Sequence, residues 1–106
     1  MHIIMRKRFR WCCKRKGRGR PSSELLLSIK PIAKKFIPSP KISKEKVILT
    51  LPEYEVLILS DLENLTQEEI AIKMGTSRGT VWRLLENARG KVAKALKQGL
   101  QITIED

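Results

Sequence analysis

Thr66-Gln67-Glu68-Glu69-Ile70-Ala71-Ile72-Lys73-Met74-Gly75-Thr76-Ser77-Arg78-Gly79-Thr80-Val81-Trp82-Arg83-Leu84-Leu85-Glu86-Asn87-Ala88 is the stretch that decides the fold. Thr66 and Glu69 have the spacing of a capping box, in which the hydroxyl and the carboxylate satisfy each other's orphan amides. Gly75 is a stop, because glycine takes left-handed angles without a steric penalty. Ser77 then caps a second helix. Two helices joined by so tight a turn need a small residue where they cross, which Ala71 supplies, and an apolar wedge, which Ile70, Met74, Val81 and Leu84 supply. The spacing predicts a helix-turn-helix. Thr76 departs from the pattern, since an apolar residue is more usual after the turn glycine.

Working outward, the helix begun at Ser77 is expected to run to about Gln98. Val81, Leu84, Leu85, Ala88, Val92, Ala95 and Leu96 recur at three- and four-residue spacing, and Gly99 is a natural stop. Gly90 inside it costs about 1 kcal/mol relative to alanine. Upstream, Thr50-Leu51-Pro52-Glu53 is another capping box, and its proline is harmless in a first turn. Tyr54, Leu57, Ile58 and Leu62 would form that helix's apolar face, with Asn64 and Leu65 ending it. Val47-Ile48-Leu49 reads as a short strand that can pair with the alternating tail Leu100–Ile104. The expected fold is mainly α. It is a three-helix helix-turn-helix domain over 47–104, with one small two-stranded pairing.

Residues 24–46 read as a linker or docking segment. Glu24–Ile29 is a short strand or helical turn, Pro31, Pro38 and Pro40 break regular structure, and Phe36 and Ile37 are candidates to dock it. Residues 1–23 read as a basic, flexible arm: Arg6 to Arg20 holds nine Lys/Arg and no acid. Charge divides the chain. Residues 1–50 carry 15 Lys/Arg and 2 Asp/Glu, residues 51–106 carry 7 and 9, and the whole is +11. A basic arm on a near-neutral domain suits a polyanion, the plain alternative being a solvated tail.

For a helix-turn-helix, double-stranded DNA is the expected partner, with the third helix in the major groove. Its outward positions are Arg78, Gly79, Trp82, Arg83 and Asn87. The arginines and Asn87 can reach base edges or phosphates, and Gly79 lets the backbone approach closely. Thr80 can bond a phosphate or touch a thymine methyl. Ser77 and the helix start suit a phosphate oxygen, and Gln67 is placed to hold the DNA backbone. Arg89, Lys91 and Lys94 would add phosphate contacts. Trp82 reads equally well as a base or sugar contact and as a lid over Leu85 and Leu62. In the arm, Arg18-Gly19-Arg20-Pro21 resembles an AT-hook core, a device for narrow A·T minor grooves. Non-specific phosphate attraction is the competing reading. Phe9 and Trp11 could also stack on single-stranded bases.

Several of these stretches resemble one family. Leu49-Thr50-Leu51-Pro52-Glu53-Tyr54-Glu55, Leu59-Ser60-Asp61, Gln67-Glu68-Glu69-Ile70-Ala71 and Met74-Gly75-Thr76-Ser77-Arg78 carry the likeness. Ala88-Arg89, Lys91-Val92-Ala93, Ala95-Leu96 and Gly99 extend it, as do Arg20-Pro21 and Phe36-Ile37-Pro38 upstream. Over about residues 20–104 the chain is similar to uncharacterised protein family 0251, or domain of unknown function 134, a group of small predicted DNA-binding proteins. More distantly it resembles region 4 of sigma-70-type factors. The resemblance implies a winged-helix-like or sigma-region-4-like DNA-binding fold in a prokaryote, without enzyme activity. The first 19 residues look like an extension, and Pro52 and Tyr54 stand where acidic and apolar residues are more usual.

No enzyme is expected. His2 is the one histidine, and Cys12 and Cys13 lie in the arm with no evident base or pocket. Adjacent cysteines seldom pair with each other, and two alone do not make a structural zinc site. No cofactor and no metal are expected, and a reducing, cytoplasmic compartment fits. No apolar run reaches the roughly 18 residues of a membrane span, so no membrane is expected. The charges after Met5 argue against a secretory signal, while a mitochondrial-type leader stays open. Two alternatives stand beside a regulator of transcription. One is an adaptor docking on RNA polymerase or another protein through Glu53, Glu55, Asp61 and Glu63. The other is non-specific nucleic-acid binding through the arm. A homodimer is compatible with each, since symmetric sites double the contacts.

Overall fold

Threonine–glutamate pairs start the first two helices. Thr50 Oγ1 accepts the Glu53 N–H at 3.3 Å while Glu53 Oε1 accepts the Thr50 N–H at 2.9 Å. Thr66 and Glu69 repeat the exchange at 3.1 and 2.8 Å. These caps open α1 (Leu51–Leu57) and α2 (Gln67–Met74). Ser77 Oγ accepts the Thr80 N–H at 3.2 Å and opens α3 (Arg78–Gln98). Gly75 (φ 67°) ends α2 and Gly99 (φ 66°) ends α3, both in left-handed conformation. The computed structural model describes residues 9–11 and 25–105. Among them, helix dominates over five short strands: β1 (Phe9–Trp11), β2 (Leu25–Leu27), β3 (Lys35–Phe36), β4 (Lys46–Thr50) and β5 (Gln101–Glu105).

α3 is the spine. Its first half closes a core in which Val81 and Leu85 meet Val56 and Leu59 after α1's cap, Ile70, Ala71 and Met74 of α2, and Leu25, Leu27 and Ile29. Its second half lies on a sheet. Ala88 packs with Leu49 and Ile104, and Ala95 packs with Val47 and Leu100. β5 is the central strand of that sheet, parallel to β4 and antiparallel to β3. Val47 aligns with Ile102 and Leu49 with Ile104, so the alternation of β4 turns both its buried residues toward α3.

Several expectations change. The small sheet has three strands rather than two, because Lys35–Phe36 adds an antiparallel edge to β5. Within the segment 24–46, β2 pairs with β1, and Leu25, Leu27 and Ile29 enter the core. β1 itself falls within the stretch expected to be a flexible arm. The buried face after Thr50 is Val56 and Leu59, while Leu62 is 70% exposed. A π-helical turn over Ile58–Leu62, closed by the Glu63 N–H on the Ile58 carbonyl at 3.0 Å, explains that shift. One extra residue in the turn rotates Leu62 off the face that a 3.6-residue repeat assigns to it. Leu96, also expected in the core, is 77% exposed.

Candidate functional site

α2 and α3 are joined by Gly75-Thr76-Ser77 alone. Ile70, Ala71 and Met74 bury themselves against Val81 and Leu85, with Leu84 partly buried beside them. β2 braces the turn from outside: a Cβ on Gly75 would lie 3.7 Å from Leu26 Cδ1. α3 is therefore held rigidly from its inner side, and its outer side faces solvent.

At about 100° per residue, Gly79, Arg83, Glu86 and Gly90 share one outward stripe, with Trp82 and Asn87 on its two margins. All six are exposed. The side chains of Trp82, Arg83 and Asn87 form no hydrogen bond or ion pair with the described residues. Gly79 serves no internal packing need, because a Cβ there would meet only Ser77 Oγ, at 3.9 Å. Trp82 is half-exposed and Leu62 stands clear of the core, so the indole is no closed lid. Glu86 is the residue that pattern reading passed over. The sequence signal was present, since Glu86 falls three residues after Arg83 on the same helical stripe.

Of the other expected contacts, Arg78, Ser77, Thr80, Arg89 and Lys91 are engaged within the domain, while the side chains of Gln67 and Lys94 form no hydrogen bond or ion pair with the described residues. Arg78 Nη1 donates to Glu68 Oε1 at 3.2 Å, with both side chains exposed. Beside them Thr66, Gln67, Glu68 and Arg78 line a shallow recess of about 420 Å³ between the starts of α2 and α3. Ser77 Oγ lies 3.0 Å from Thr80 Oγ1, so both hydroxyls serve the cap. Arg89 grips Asp61 with two bonds, Nη2 to Oδ1 at 2.6 Å and Nε to Oδ2 at 3.2 Å. The hydrogen bond from Arg89 holds the Asp61 carboxyl below the usual carboxylate range, and the same bond raises the guanidinium. Lys91 Nζ donates to Glu53 Oε1 at 2.6 Å. Arg89 and Lys91, read as phosphate contacts, thus tie α3 to the first helical segment. Arg18 and Arg20 lie outside the described residues.

The acidic set on the first helical segment is also mostly engaged. Glu53 is buried, Asp61 is held by Arg89, and Glu55 is fully buried with its carboxylate on the Ser28 and Ile29 amides. Only Glu63 of the four stands exposed without a side-chain partner among the described residues. Among the described residues no three His, Cys, Asp or Glu side chains gather as a metal site would need. No helix among them is long and apolar enough to cross a membrane.

No solved structure matches the chain. Eight similar curated proteins come from archaea, each named as a UPF0251 protein. One from Pyrococcus furiosus is 44% identical over 91 residues, covering 83% of this chain and 84% of its own length. One from Archaeoglobus fulgidus is 43% identical over 98 residues, covering 91% and 90%. One from Pyrococcus horikoshii is 52% identical over 68 residues, covering 64% and 62%. The model of the family described as "Protein of unknown function DUF134" matches residues 13–106, and the chain belongs to that family.

Proposed function

We propose that this chain is a non-enzymatic DNA-binding protein, a regulator of transcription, whose α2, Gly75–Ser77 turn and α3 act as a helix-turn-helix. One observation carries the reading: the first half of α3 turns Gly79, Trp82, Arg83 and Asn87 to solvent, the last three side chains unengaged among the described residues, while α2 braces it from behind. A rigid helix with an open polar stripe fits a major groove, where Arg83 can pair with a guanine edge and Asn87 with adenine. Glu86 between them can accept from a cytosine amino group, and its charge repels phosphate, so it favours selectivity over affinity. Gln67 and the cap at Ser77 are positioned for phosphate oxygens. A cytoplasmic setting accords with this role.

The adaptor reading keeps less support, since Glu53, Glu55 and Asp61 are committed inside the domain. Selection from random duplexes at two salt concentrations tests the proposal. An enriched motif is expected, with its preference lost at one or two positions in Arg83→Ala, a change worth about 1–3 kcal/mol of discrimination. A pool that enriches nothing, with affinity that vanishes when residues 1–20 are removed, would favour non-specific binding through the arm.

A further inference from the structure

The far end of α3 carries an apolar surface that the proposed function leaves unused. Leu96 is 77% exposed, and beside it stand Ile37 at 62% and Phe36 at 53%. Together with Pro38, Leu100 and Ile102 they line a cleft of about 220 Å³ between β3 and the last turn of α3. We propose that this cleft is a pairing surface for a second copy of the chain, closed when two copies occupy adjacent sites on one duplex. The inference rests on the DNA-binding reading above.

Position supports a second copy. Leu96 follows Arg83 by thirteen residues, about 20 Å along the helix, and points about 140° away from it around the axis. The cleft therefore lies on the flank of α3, clear of the stripe assigned to DNA. A two-fold axis at Leu96 sets the two Arg83 side chains up to about 40 Å apart, which accommodates the roughly 34–36 Å of one helical turn between half-sites.

Area and charge explain why pairing would need DNA. Three half- to three-quarter-exposed side chains amount to roughly 400 Å² on each copy, below the 1,200–2,000 Å² in total that a stable interface buries. Each copy also carries a net charge of +11, so free copies repel one another. A duplex neutralises that charge and raises the effective concentration of the second copy.

The test uses the full chain and the neutral pair Ile37→Gln and Leu96→Gln, both at exposed positions. Binding is measured on duplexes carrying the selected motif as an inverted repeat, with centres ten or fifteen base pairs apart. The expected result is cooperative binding of two copies at ten base pairs, by tenfold or more, and none at fifteen. The double variant should lose the cooperativity and keep its affinity for a single motif. Independent binding at both spacings, or cooperativity unchanged in the variant, overturns the proposal. Failure of the DNA-binding reading looks different: no duplex is retained. A DNA-free arm then decides, namely sedimentation at low and high salt. Weak dimerisation is expected only at high salt and only in the wild type. Monomers throughout overturn the pairing, as does a double variant that melts several degrees below the wild type at low salt, where both are monomers, which would assign the cleft to a contact within the chain.

Discussion

The Glu55 carboxylate accepts the backbone N–H of Ile29 at 2.8 Å from a fully buried position on α1. The same Oε1 takes the Ser28 N–H at 2.7 Å, and Oε2 takes the Ser28 hydroxyl at 3.3 Å. One side chain thus takes up both backbone amides that follow β2, next to the core residues Leu25, Leu27 and Ile29. Glu55→Ala would leave two buried amides without acceptors, at a cost of about 3 kcal/mol. Glu55→Gln keeps an acceptor oxygen and loses only the charge assistance, about 1 kcal/mol. Urea unfolding checks both, as midpoints that fall in that order with an unchanged slope.

Glu68 holds Arg78 in an ion pair at 3.2 Å, and on the proposed DNA-binding reading it would compete with phosphate for that arginine. The pair is exposed on both sides, so it is weak and can open when an anion arrives. Glu68→Gln should therefore tighten duplex binding about two- to fivefold, with little effect on folding. In the Arg78→Ala background the same change should yield no gain, and that double-mutant cycle on duplex affinity is the check. An equal gain in both backgrounds would mean that Glu68 acts through general repulsion and not through Arg78.

Asp61 and Arg89 make stability sensitive to acid. The Asp61 carboxyl titrates below its ordinary value because Arg89 donates to it. A depressed folded-state pKa adds stability above the unfolded value and loses it as pH falls through the folded one. Compared with Asp61→Asn, the wild type should hold a constant advantage from neutral pH to about pH 5 and lose it below about pH 4. Both groups are well exposed, so that advantage is a few tenths of a kcal/mol. Thermal melts of the two proteins across pH 3–7 would read it.

The helix starts were legible in the sequence because a cap is made three residues away along the chain. Thr50 with Glu53, Thr66 with Glu69, and the stops at Gly75 and Gly99 all stand where local chemistry puts them. Contacts across distance were not legible. Glu55 reads as a surface acid until Ser28 and Ile29, more than twenty-five residues away, are seen on it. Leu96 satisfies the helical repeat as well as Ala95 does, but the sheet offers a surface only to Ala95. The outward residues Trp82, Arg83 and Asn87 follow from periodicity once Val81 and Leu85 are placed inside. The ties of Arg78, Arg89 and Lys91 depend on which acids the packing brings near, and periodicity is blind to them.

Two glycines on one stripe separate a helix's own needs from those of its partner. Gly79 and Gly90 both lie on the outer side of α3, and neither has an internal neighbour that a Cβ would crowd. Alanine at either position should stabilise the helix by up to about 1 kcal/mol, since glycine loses more backbone freedom on folding. If the start of α3 enters a groove, the extra methyl of Gly79→Ala meets DNA and the methyl of Gly90→Ala, three turns further along, does not. The expected outcome is a raised melting temperature in both variants, with duplex affinity reduced about tenfold only in Gly79→Ala. That factor corresponds to the roughly 1–3 kcal/mol of an overpacked contact. Equal affinities in the two variants would place the DNA elsewhere than at the first turns of α3, whatever the selected motif.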